Sequence, residues 1–209
     1  MHTIVFAASK GGVGKTTLCA ALAVAGMSDG SQVAMIDADP QQSLAMWHAG
    51  RDSPDNPALI GNSKQSMSAR NEAAKASGAA WCMIDTPPAM INVIEPCVML
   101  ASLVIIPCRP SPLDLLAIDP IVELCRLHEV AHLFVLNQTT PRSKYTEQAA
   151  KLLRKEGVVF EGEVGSRQNY AIAMVRGLTA PEIERGKGSA REEIETLWKS
   201  VKRRLARPK

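Results

Sequence analysis

The chain has 209 residues, 46% of them hydrophobic and 22% charged. That is the make-up of one globular domain, commonly about 100–200 residues, and it excludes a disordered chain. No run approaches the roughly 18–20 uninterrupted apolar residues of a membrane-spanning helix, and the opening MHTIVFAASKGG has neither a charged leader nor a small-residue cleavage site, so a cytoplasmic chain is expected. The formal charge of +3 is unevenly spread: residues 1–141 hold 8 Lys/Arg against 12 Asp/Glu, and residues 142–209 hold 16 against 9. From position 199 to the end there are six basic residues and no acid, which points to a polyanionic partner, nucleic acid or an anionic membrane surface, or to a merely solvated face.

An apolar run over 2–8 meets a glycine-rich turn and then a helical stretch over 15–28, which reads as strand, loop, helix. Short apolar runs over 32–37 (QVAMID), 81–85 (WCMID), 103–108 (LVIIPC) and 132–137 (HLFVLN) predict further strands, mostly with the continuous hydrophobicity of strands buried on both faces. Helical patterns over 43–49, 63–77, 91–101, 114–129 and 144–156 separate them, with Pro96 and Pro120 expected to kink or shift two of these. Residues 51–62, with Pro54, Pro57 and Gly61, read as loop. Strands alternating with helices predict an α/β fold, a doubly wound, mostly parallel sheet flanked by helices. One domain over 1–209 is expected, closing with a basic helix at about 189–206.

Residues 10–17 read KGGVGKTT, between a predicted strand and a predicted helix. Gly11, Gly12 and Gly14 let the backbone curl so that successive N–H groups of the loop, Val13 included, converge, and the helix beginning near Lys15 adds its positive end. A phosphate chain belongs there. Lys15 would reach the β- and γ-phosphates of ATP, Thr16 would place its hydroxyl on Mg²⁺, and Thr17 would bond the α-phosphate. The standard pattern G-x-x-x-x-G-K-[ST] asks for glycine at position 9, but this chain has Ser9 followed by an additional lysine, Lys10.

A nucleotide-hydrolysing site of this kind needs an acid at a neighbouring strand end to hold the metal's water shell. WCMIDTPP offers Asp85, and VAMIDADPQQS offers Asp37 with Asp39 on a turn stiffened by Pro40. The alternative for Asp37 and Asp39 is to cap the helix that follows. Four histidines lack metal-ligand spacing, and five cysteines form no C-x-x-C pair and read as buried thiols.

KGGVGKTT, together with D-x-D-P-Q at 37–41, DTPP at 85–88, SLAMW at 43–47 and LVIIPCRPSPLDLLA at 103–117, resembles the ParA/MinD group of deviant P-loop ATPases, nearest to the small plasmid-type ParA proteins. The resemblance implies slow, Mg²⁺-dependent ATP hydrolysis in a nucleotide-sandwich homodimer, with Lys10 crossing to the partner's phosphates. It assigns Asp39 to the attacking water, Asp37 and Asp85 to the Mg²⁺ shell, and Asn137 to the adenine ring. It also implies ATP-dependent binding of non-specific DNA, a ParB-type or ribbon-helix-helix centromere-binding adaptor that stimulates hydrolysis, a role in DNA partition or cargo positioning, and a nucleoid-associated place in a bacterial cytoplasm.

Candidate DNA contacts are Arg167, Arg176, Lys199, Lys202, Arg203 and Arg204. No helix-turn-helix pattern precedes the first strand, so sequence-specific operator binding is not expected. MinD-like members instead use an amphipathic C-terminal helix on membranes. In TLWKSVKRRLARPK, Leu197, Trp198, Val201 and Leu205 form one helical stripe, which suits packing alone first, packing on the domain with DNA contact second, and membrane contact last, since four apolar residues offer little insertion area. Metal-cluster carriers of the wider family carry a C-x-x-C pair that this chain lacks.

Overall fold

The computed structural model describes residues 1–52, 55–61, 64–184, 186 and 189–206. Its strands are β1 (His2–Phe6), β2 (Val33–Asp37), β3 (Ala58–Leu59), β4 (Trp81–Asp85), β5 (Leu103–Cys108), β6 (His132–Thr139), β7 (Val158–Val159) and β8 (Val164–Gly165). The helices are α1 (Lys15–Ser28), α2 (Ser43–Ala49), α3 (Met67–Ala76), α4 (Ile91–Val98), α5 (Pro112–Leu115), α6 (Asp119–Leu127), α7 (Lys144–Glu156), α8 (Gln168–Val175), α9 (Ala180–Ile183) and α10 (Ala190–Leu205). The sheet runs β3-β2-β4-β1-β5-β6-β7, with β8 also paired to β6. Every ladder is parallel.

Side-chain alternation along the strands divides the core into two layers. Ile4, Phe6, Met35 and Met83 face α1 and α10, whereas Val5, Ile36 and Ile84 face the side covered by α3, α4, α6 and α7. Because both faces are covered, the central strands lack polar alternation. Helix α1, between the sheet and α10, is apolar nearly all round for the same reason. All five cysteines lie in this core.

Register positions the site. Phe6 pairs with Asp85, and Asp85 pairs with Asp37. The last residues of β1, β4 and β2 therefore line up on one edge, where the glycine loop leaves β1.

Helix starts and ends differ from expectation where proline and capping decide. The stretch expected as one helix over 114–129 is two: Ser111 caps α5, and Pro120 takes a first-turn position in α6, where its missing N–H has no intrahelical partner to lose. Pro96 sits inside α4, which runs on to Val98. Helix α3 is capped by Ser66 at its start, later than the expected 63, a position outside the described residues, as are 53, 54, 62 and 207–209. Strands β3, β7 and β8 have two residues each, too few for a periodic signal. Among the described residues, no helix is long and apolar enough to cross a membrane.

Candidate nucleotide-binding site

The glycine loop curls through two left-handed residues, Gly12 (φ +73°) and Gly14 (φ +96°). At Gly14 a side chain is barred twice, by its φ and because a Cβ would lie 2.2 Å from Asn137 Nδ2. Gly14 is also the N-cap of α1, and no side chain caps this end and no acid occupies its first turn. The first-turn N–H groups and the positive helix end are thus left for an anion that the protein does not itself provide.

Within this curl Lys15 is buried and donates to the Lys10 carbonyl at 3.2 Å. Burial pulls its ammonium below the usual lysine value, against the charges of Asp85 and Asp39. Thr16 Oγ1 donates to Asp85 Oδ2 at 2.6 Å. The other oxygen, Oδ1, is buried with no hydrogen-bond partner. Burial pushes the Asp85 carboxyl up to about 7, with the Asp37 and Asp39 charges adding and the Thr16 bond and Lys15 opposing. A buried, half-satisfied carboxylate beside a threonine hydroxyl is a donor set for a hydrated divalent cation. Thr17 follows, half-buried, on the same turn of α1. ATP with Mg²⁺ fits this set: convergent amides and Lys15 for phosphates, Thr16 and Asp85 for the metal's shell.

Asp37 takes the capping alternative. Its Oδ1 accepts from Asp39 N at 3.0 Å and its Oδ2 from Ala45 N at 2.9 Å, so both oxygens fasten the turn to α2. Burial raises its pKa and these amide bonds lower it, with burial prevailing. Any service to a metal's water shell falls to the remaining lone pairs. Asp39 Oδ1 accepts from Gln41 N at 2.9 Å, and the half-buried side chain stands on the turn between β2 and α2.

Four side chains brace this edge. Asn137 is buried and donates one amide N–H to the Val13 carbonyl at 2.7 Å. Gln138 donates to the Gly12 carbonyl at 2.7 Å, Thr86 donates to the Phe6 carbonyl at 2.8 Å, and Arg70 donates to the Asp37 carbonyl at 3.0 Å. Gln138 and Arg70 escape sequence reasoning because bonds to distant backbone leave no local pattern, whereas Thr86 lies within the DTPP motif at 85–88. The one available signal for Arg70 is its place among alanines on α3, and for Gln138 its place directly after Asn137. Lys10 stands at the loop's lip with its Nζ 3.8 Å from Asp114 Oδ1, an oxygen that also receives Arg109 at 3.1 Å.

Residues 4–180 match the CobQ/CobB/MinD/ParA nucleotide-binding domain. The chain belongs to this family. Among relatives, the Maintenance of carboxysome distribution protein A of Halothiobacillus neapolitanus is 30% identical over 95% of both chains. Protein ParA of Rhizobium radiobacter is 25% identical over 93% of this chain and 92% of its own. Among solved structures, MinD in the MinC:MinD complex of Aquifex aeolicus superposes with a TM-score of 0.82 at 18% identity, over 100% of this chain and 99% of that one. The McdA–ATP complex of Cyanothece gives 0.73 at 21% identity, over 100% and 98%. These last two carry the fold alone.

In the last third of the ParA/MinD-type chain, several charges are paired within the chain. Arg167 pairs with Glu193 at 2.6 Å and Glu184 at 3.1 Å, a buckle joining the start of α8 to α10, so its guanidinium is not presented as an open cation. Lys202 pairs with Asp29, the C-cap of α1, and Arg204 also has an interaction within the chain. Lys199, Arg203 and Arg176 are exposed. On α10, Leu197, Trp198 and Val201 are buried, with Trp198 edge-on to Trp81 at 4.6 Å. Packing on the domain is thus the arrangement adopted, and membrane insertion of this stripe would require α10 to leave the core.

Proposed function

We propose that this chain is a partition or cargo-positioning ATPase in which Mg·ATP, held by Lys15, Thr16, Thr17 and Asp85, brings two copies together face to face. Each copy places Lys10 on the other's phosphates, the dimer binds non-specific DNA through exposed cations such as Lys199 and Arg203, and hydrolysis at Asp39 resets it. A ParB-type or ribbon-helix-helix adaptor stimulates that hydrolysis, and repeated release and rebinding moves the adaptor's cargo along nucleoid DNA. The relatives named for partition and for carboxysome distribution support cargo of either kind, DNA or a protein assembly.

The observation that carries this reading is the division of labour between two lysines on one loop. Lys15 is buried in the curl, where phosphate oxygens would lie. Lys10 has 35% of its side chain exposed at the lip and approaches Asp114 only to 3.8 Å, beyond hydrogen-bond distance. A loosely held cation beside a site already served by another lysine is free to act on a second nucleotide. Light scattering with a non-hydrolysable ATP analogue tests this: the parent should double in mass and Lys10→Ala should stay monomeric. Equal dimerisation of both would remove the cross-interface role. Asp39→Ala should dimerise with ATP and hydrolyse it at less than about a tenth of the parent rate, and unchanged turnover would take Asp39 out of the mechanism.

A further inference from the structure

The turn bearing Asp37 and Asp39 leads into α2, a helix of seven residues. One end is bonded to the strand edge, where Asp37 Oδ2 accepts from Ala45 N. The other end is fastened to a segment 131 residues further along the chain: the indole N–H of Trp47, 3% exposed, donates to the Leu178 carbonyl at 2.8 Å. Arg51 lies 4.9 Å over the Trp47 ring, donates to the Gly177 carbonyl at 2.9 Å and pairs with Glu182 at 3.0 Å. Glu182 also closes the capping box of α9 with Thr179. Between these bonds the backbones touch directly, because at Gly177 (φ +65°) a Cβ would lie 2.2 Å from the Gly50 carbonyl oxygen.

We propose that α2 is a rigid strut through which the state of the Asp37–Asp39 turn sets the position of the α8–α9 turn, with Trp47 and Arg51 as its positioning residues. The inference rests on the reading of the Asp37–Asp39 edge as part of a nucleotide site. A short helix held by hydrogen bonds at both ends moves as one body, and a backbone-on-backbone contact has no side chain to yield between the parts. A shift of the turn on nucleotide binding is therefore delivered at Gly177 and Leu178. Those residues follow α8, whose Val175 is 90% exposed and whose C-cap is the exposed Arg176. By linkage, a ligand that prefers one position of this turn changes nucleotide affinity by the same factor as nucleotide changes its own.

Hydrogen exchange of the full chain tests the strut, read at residues 172–180 with and without Mg²⁺ and a non-hydrolysable ATP analogue. In the parent, nucleotide should change exchange in this segment by about threefold or more. Trp47→Phe keeps an aromatic ring, smaller than the indole, and loses the donor; it should bind the analogue within about twofold of the parent, yet lose at least half of that change. Arg51→Gln, which leaves the indole in place, should do the same, so a folding defect in one variant leaves the other as the test. If the parent binds nucleotide with no change at 172–180, or if both variants respond fully, the strut is wrong. A parent that binds no nucleotide in the same titration overturns the nucleotide reading as well, which separates the two failures.

Discussion

The phosphate-loop edge and the last third of the chain are both rich in charge, and they treat it in opposite ways. At the edge, Asp85 keeps a buried oxygen without a partner, Lys15 has a loop carbonyl as its hydrogen-bond partner, and the first turn of α1 has no capping side chain. In the last third, Glu193 receives Arg167, Tyr170 Oη at 3.2 Å and the Gly165 amide at 3.2 Å, while Glu184 receives Arg167, Asn169 at 2.9 Å and the Ala190 amide at 3.1 Å. Charges matched inside the chain hold β8, α8 and α10 together. Buried groups left half-matched are costly in the absence of a ligand and are the ones to assign to function.

The largest expected effect is at Lys15. If phosphate oxygens complete the partners of Lys15, Lys15→Ala should weaken nucleotide binding by about 100-fold or more, roughly 3 kcal/mol, while leaving the fold intact. Calorimetric titration checks it; affinity within about threefold of the parent would erase the contrast between the two regions.

Asp85 gives the next effect, and it carries a sign in pH. A carboxyl raised to about 7 in the fold from an ordinary 3.8 binds a proton more tightly folded than unfolded. Without nucleotide, this carboxyl should therefore contribute a loss of stability as pH rises from about 4 to about 7. Asp85→Asn should escape this loss, matching the parent near pH 4 and exceeding it near pH 8 by an amount on the order of 4 kcal/mol. The same variant should lose the Mg²⁺ dependence of nucleotide binding. Urea melts of parent and variant at the two pH values decide it, and a variant-minus-parent difference that is the same at both would contradict the unmatched oxygen.

How far the sequence reveals each region follows from the same contrast. KGGVGKTT lies in one contiguous stretch, so its curl, its glycine positions and the start of α1 at Lys15 are readable from local chemistry alone. The doubly wound sheet is readable because continuous apolar strands leave few other ways to cover both faces. Asp37 is ambiguous, since an aspartate at a strand-to-helix turn serves a cap or a metal shell with the same spacing, and only the two amide bonds reveal the cap. Arg167 and the stripe on α10 are opaque for a different reason. Their partners, Glu184, Glu193 and Trp81, are distant in sequence, and an amphipathic basic helix reads identically whether its apolar side meets lipid or α1.

Arg167 sharpens the comparison from the other side. Arg167→Ala would leave Glu193 and Glu184, each less than a fifth exposed, without their cation. The expected cost is about 2 kcal/mol of stability, discounted because the guanidinium is itself 30% exposed. Urea denaturation should show this loss, while DNA affinity per folded molecule should stay within about twofold of the parent. A specific loss of DNA binding with unchanged stability would make Arg167 a DNA contact after all.

The smallest effects distinguish two exposed cations of α10, Lys199 and Arg203, from Lys202, which is paired within the chain. Lys199 and Arg203 are exposed, so Lys199→Ala and Arg203→Ala should each change stability by less than about 0.5 kcal/mol. If they meet DNA phosphates, each should lower the slope of log affinity against log salt by about 1, without altering preference among sequences. Lys202 serves as the internal control, because its ammonium already pairs with Asp29 and lies 5.8 Å over the Trp198 ring. Lys202→Ala should alter the slope less than either neighbour and cost more stability. Equal slopes for all three variants would mean that internal pairing does not decide which cations of this helix reach DNA.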